Sequence, residues 1–279
     1  MVIQPVLFAL KLSTQKITKM KFLNYIVVIA LAIQMVSCTS NNDDEILEGE
    51  GTIELKFDNS YNDNDLLLNT TSYDAVGSEQ VKISGVKYIV SNISLEDHNG
   101  NVFTYPKESS FFIIDEADAN SQKINLTNIP EANYTKVTFG IGVDQETYLK
   151  GAEGQGTFLT SAQETGMMWS WQAGYKFFRF EGNYTSSTTS TATDFSFHMG
   201  SHGSTLDNYK EVTLAFPNSI KVREDAKPSV HIVANIATVL NGTTAFLLED
   251  AAEIHVDAVK SPQIAENVQQ MFSVHHVHN

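Results

Sequence analysis

From Gly51 onward, polar and apolar residues alternate with a period of two, most clearly in Thr52-Ile53-Glu54-Leu55-Lys56-Phe57. Successive side chains of a strand point to opposite faces, so this stretch predicts a strand with one face buried. The same reading predicts strands over 81–95 (one or two), 102–105, 111–114, 123–126, 136–143, 169–180, 194–198, 211–216 and 229–237. Asp97-His98-Asn99-Gly100 and residues 128–133 carry turn chemistry. Helical periodicity is confined to 144–150 and 263–271. Residues 151–166 read as a long irregular segment, and the Ser/Thr-rich stretch 186–193 as an exposed loop. Many short strands without a long amphipathic helix predict an all-β fold, a single antiparallel β-sandwich domain over 51–279.

The front of the chain departs from this pattern. A basic leader without acid runs into a nine-residue apolar stretch, 25–33, too short to span a bilayer, which takes about 20 such residues. It ends in Met35-Val36-Ser37-Cys38, a bacterial lipobox pattern whose cysteine carries the lipid. A signal peptide is therefore expected over 1–37, with Met20 an alternative start, and lipidation at Cys38. An ordinary secretory signal with Cys38 incidental is the alternative. Residues 38–50, acidic and without apolar period, read as the tether between anchor and domain. The expected location is the cell envelope: outer-membrane-anchored, periplasmic or surface-exposed.

Charge narrows the function. The chain carries 18 Lys and Arg against 33 Asp and Glu, a net −15. Loss of a leader with four lysines (Lys11, Lys16, Lys19, Lys21) and no acid makes it −19. Such a surface repels nucleic acid and favours cations. With the one cysteine lipidated, a soft-metal site has to come from His, Met or something rarer than thiolate.

No phosphate-cradling glycine loop, zinc-protease helix or nucleophile elbow is present, so the chain is expected not to be an enzyme. Histidine is the informative residue. Of eight, three stand in Val274-His275-His276-Val277-His278. On an extended backbone His276 and His278 share a side, and His275 points to the other. His198 and His231 lie on predicted strands, where a satisfied strand histidine is the plain alternative to a ligand. His202 lies close enough to His198 for an outer role, and His98 and His255 read as surface residues. Both tryptophans fall in Gly166-Met167-Met168-Trp169-Ser170-Trp171, where Met167, Trp169 and Trp171 share a face; taken alone, they read as core.

Several of these motifs, in order, resemble the MbnP-like family of copper-binding lipoproteins. They are 51–57 (GTIELKF), 87–93 (KYIVSNI), 139–144 (FGIGVD), 166–175 (GMMWSWQAGY), Phe197-His198-Met199-Gly200 and 271–279 (MFSVHHVHN). The resemblance implies a β-sandwich binding one copper ion, for acquisition, storage or delivery. It also implies oxidation of a tryptophan to kynurenine by a MauG-like dihaem partner, which turns an inert indole into a nitrogen donor. Carried over, Trp169 and Trp171 are the modification candidates. His198, His231, His276 and His278 are the copper-ligand candidates, with Met167 a weaker, thioether candidate. The chain departs from the family pattern at Met168, where tyrosine is expected, and at His275 and Asn235, where acids are expected. The last two bear on the hydrogen bonds that orient a ligand. A glycan- or protein-binding surface lipoprotein without metal is the competing reading, and a hydrolase the third.

Overall fold

The computed structural model describes residues 47–169 and 174–279. The expected signal peptide, the lipidation site Cys38, most of the tether and Trp171 lie outside the described residues. The period-two pattern becomes two packed sheets. In the first, β1 (Glu50–Tyr61) lies between β12 (Ser229–Asn235) on one flank and β2 (Asn64–Asp65) and β7 (Lys123–Pro130) on the other. The strand β14 (Phe272–His278) extends it beyond β12.

The second sheet runs β11 (Lys210–Val222), β8 (Ala132–Ile141), β4 (Gln80–Asp97), β9 (Phe178–Thr185), β10 (Thr193–Met199) and β13 (Glu253–Ile254). Three short strands also pair with β4: β3 (Tyr73–Asp74), β5 (Val102–Thr104) and β6 (Phe111–Asp115). The fold is all-β and a sandwich. Among the described residues its ladders are antiparallel except β1 with β12 and β10 with β13, which pair in parallel. A strand returning from the far end of the chain can join the β1 edge in either sense, so local alternation does not reveal this.

Alternation sets the faces. On β1, Ile53, Leu55, Phe57 and Tyr61 are buried, and Glu54, Lys56 and Asp58 face outward. Phe272 of β14 reaches into a knot of rings from both sheets. It lies 5.2 Å from Phe139, 5.6 Å from Tyr88 and 6.3 Å from Phe57, all edge-on. Edge-to-face pairs add about 0.5–1.5 kcal/mol each to the burial of the rings. The C-terminal strand is thereby fastened at its first residue. Asn59, also buried, faces the same interior. It accepts from the Tyr88 hydroxyl at 3.0 Å and donates to Glu116 at 2.9 Å.

Helices are short: α1 (Gln145–Leu149), α2 (Phe158–Glu164), α3 (Ala237–Leu240) and α4 (Lys260–Gln269). The Asp144 carboxylate caps α1 by accepting from Thr147 N. Two sequence expectations shift. The segment 151–166 is not wholly irregular, since α2 lies within it. Of the strand expected over 169–180, the described residues show a strand from Phe178; before it, Met168 and Tyr175 form a single bridge and Gly174 takes φ +81°. Among the described residues no helix is long and apolar enough to cross a membrane.

Candidate metal centre

The histidines of β14 are placed by a bulge. His231 on β12 pairs with His276, but the next residue, Ile232, pairs with Val274, so His275 is an extra residue opposite the ladder. A bulge puts two residues against one and resets the alternation. Val274 and Val277, three apart, therefore both pack toward the core. His276 and His278 fall on the outer face beside His231. The expectation that His275 points away is corrected here, because the bulge brings it to the same side.

Three imidazoles result: His231, His275 and His276 each offer a nitrogen, all within 4.8 Å of one another. The His231 and His276 rings lie 4.7 Å apart and nearly perpendicular, and the ring of His278 lies 4.6 Å from that of His276. His275 Nδ1 and His276 Nδ1 approach to 2.6 Å. His231 Nε2 is 2.8 Å from Asp58 Oδ2 on the neighbouring β1. Partial burial holds the His276 imidazole below its ordinary value, and the charges of His231, His278, His275 and Lys56 add to this. Imidazoles kept neutral retain the lone pairs a metal needs. Beside the cluster opens a cavity of about 590 Å³ whose lining includes Asp58, Asn62, Asp63, Asp65, His231 and His275. An acidic mouth next to imidazole nitrogens attracts cations.

His198 is not part of this group. It lies on β10 of the second sheet, between buried Phe197 and Met199, and so points away from the core on that side. His231, between buried Val230 and Ile232, points away from the core on the other sheet. His198 Nε2 is 2.6 Å from Glu181 Oε1. Arg179 grips the same carboxylate with two donors at 2.7 Å each. Burial of Glu181 favours its neutral form, but these partners overcome that and hold its pKa below the ordinary value. Burial pushes the His198 imidazole down, and Lys176 and His255 add to the effect. The ring of His198 stacks on that of His255 at 4.5 Å, nearly parallel. His255 Nε2 in turn lies 3.0 Å from Ser196 Oγ. His255, read from the sequence as a plain surface residue, is thus a partner of His198.

Trp169 lies on the His198 side. A Cβ added at Gly200, two residues past His198, would come 3.2 Å from the Trp169 ring, and Lys176 Nζ stands 6.0 Å above that ring. Met167 is fully buried. His202 is exposed in the following loop and His98 in its turn. Asn235 does not touch His231. Its side-chain oxygen accepts from Asn62 N and Ala237 N, and the acidic partner of His231 is Asp58 instead. The structure therefore brings His231, His276 and His278 together, adds His275, and leaves His198 apart, with Glu181 and His255 as its partners and Trp169 against the Gly200 turn that follows it.

A family model described as MbnP matches residues 50–256. The chain belongs to the MbnP family. The matched segment contains His198, His231 and His255, and ends before β14. Among solved structures, MbnP from Methylosinus trichosporium is 13% identical, with 81% of this chain and 98% of that one covered and a TM-score of 0.49. No curated protein matches this MbnP-family chain.

Proposed function

We propose that this MbnP-family chain is a non-enzymatic, lipid-anchored protein of the cell envelope that binds one copper ion through His231, His275 and His276, with His278 alongside. The observation that carries the reading is the convergence of three imidazole nitrogens within 4.8 Å. The donor set fits the metal. Nitrogen donors suit copper and zinc, whereas calcium and magnesium want oxygen. Between the first two, imidazole sites favour copper(II), and the family resemblance points the same way. Bound copper would supply a centre for storage or transfer of the ion itself. The test is a metal titration of the purified mature chain. One equivalent of copper is expected, lost in a His231→Ala/His276→Ala double variant and kept in His198→Ala. Unchanged stoichiometry in the double variant would remove the site.

A second reading has its own support in the contact between Trp169 and the Gly200 turn beside His198. Oxidation of Trp169 to kynurenine by a dihaem partner of the MauG type would set an arylamine near that imidazole, and copper would bind there. Intact mass of protein from its native host separates the two, since kynurenine adds about 4 Da. In this reading it is His198→Ala that loses copper.

A further inference from the structure

A histidine can give a metal only the nitrogen that carries no proton, so whatever holds the other nitrogen decides how well it binds. We propose that Asp58 is the positioning residue of the His231–His275–His276 cluster, fixing His231 as the tautomer protonated at Nε2 and leaving its Nδ1 lone pair for the metal. This rests on the copper reading given above for that cluster.

The placement follows from the sheet. Lys56 is the ladder partner of His231 across the parallel β1–β12 pair, and Asp58, two residues on, shares its outward face. The carboxylate thus reaches the ring, and Asp58 Oδ2 accepts from His231 Nε2 at 2.8 Å. His231 is largely covered, with 17% of its side chain exposed, so this bond is poorly replaced by water. Competition for the carboxylate is weak. Lys56 Nζ stands 3.9 Å from the same oxygen, both side chains are close to 40% exposed, and ion pairs of that kind contribute about 0–1 kcal/mol. Asn235, the other residue in line to orient His231, is engaged by main-chain N–H groups elsewhere.

The chemical effect has two parts. Accepting the Nε2 proton locks the ring and raises the basicity of Nδ1, and the negative charge offsets that of an arriving cation. Loss of such an outer partner lowers metal affinity about 10–100-fold.

The experiment compares the full chain with Asp58→Asn, which keeps an acceptor oxygen without the charge, and Asp58→Ala, which removes both. In the metal-free protein, ¹⁵N shifts of His231 should report protonation at Nε2, giving way to a tautomer mixture in the Ala variant. Copper competition titrations should show a loss of about 10–100-fold for Asp58→Ala and a smaller one for Asp58→Asn, and the copper(II) EPR spectrum should change. Wild-type affinity and spectrum in Asp58→Ala would overturn the role of Asp58 alone, as would a metal-free His231 protonated at Nδ1. A wild type that takes up no copper, or a copper site lost only in His198→Ala, overturns the copper reading of the cluster and this role with it.

Discussion

His275 and His276 hold their Nδ1 atoms 2.6 Å apart, although consecutive residues of a regular strand would point to opposite faces. Two nitrogens this close share a proton, so one ring donates and the other accepts. The bulge opposite His231 makes the meeting possible, and a metal ion would take the place of the shared proton. His275 is exposed and contributes little packing. His275→Ala should therefore weaken copper binding at least about tenfold, roughly 1.4 kcal/mol, with the melting temperature almost unchanged. Competition titration beside a thermal melt checks this. A variant that binds as the wild type does would limit the site to His231 and His276.

The same crowding predicts a pH response. His276 is held below its ordinary 6.5 by partial burial and then by the charges of His231, His278, His275 and Lys56. A lowered folded-state value for a base means that the unfolded chain binds the proton more readily. Its contribution to stability is thus intact above 6.5 and is lost as pH falls through 6.5 toward the folded value. In the metal-free protein the His276 ring should titrate below 6.5 by NMR. His231→Ala should move that midpoint upward, and a midpoint unmoved would mean that the neighbouring ring exerts no field on it.

The sheets were legible in the sequence because a half-buried strand has to alternate, as Ile53, Leu55 and Phe57 do. What alternation could not supply was the reset in β14. The signature is there in Val274-His275-His276-Val277, two apolar residues three apart, but it becomes a bulge only once Val274 and Val277 face the same core. His231 and His276 were readable as candidates from residue type. Asp58 was not, because it stands 173 residues before His231 and nothing local links them. The grouping of His198 with the tail failed for a related reason. Both are outward strand positions, and sequence does not tell which sheet each strand joins.

Glu116 gives a prediction independent of any metal. Burial raises its pKa from 4.5 to about 7, the hydrogen bond from Asn59 opposes this, and Asp65, Asp58 and Asp115 add to the rise. A raised acid is favoured folded when protonated, so stability falls as pH climbs from 4.5 to about 7 and is level above. Glu116→Gln removes this penalty and keeps an oxygen for the Asn59 and Gln122 amides that now donate to Oε2. After allowance for solvent screening, the variant should be about 1–2 kcal/mol more stable at pH 8. At pH 4 the gain should vanish. Denaturant melts at the two pH values check both halves, and an equal effect at each would assign the change to packing.

Phe272 ties the core to the histidines. Its ring meets Phe57, Tyr88 and Phe139 edge-on, and it is the first residue of the strand that ends in His278. Phe272→Ala should cost about 3–5 kcal/mol, the range for deleting a buried ring. The loss should not spread evenly. Among the described residues β14 is an edge strand with β12 as its one ladder partner, so with its anchor gone the strand should fray before the sheets part. His275 and His276 would then lose their fixed distance to His231. Copper affinity should fall although no ligand has been touched, and limited proteolysis should cut near the C-terminus first. Phe272→Leu, which keeps most of the volume, should cost less and restore much of the binding. If Phe272→Ala destabilised the fold yet left copper affinity and the cleavage pattern unchanged, the β14 histidines would not depend on this ring for their position.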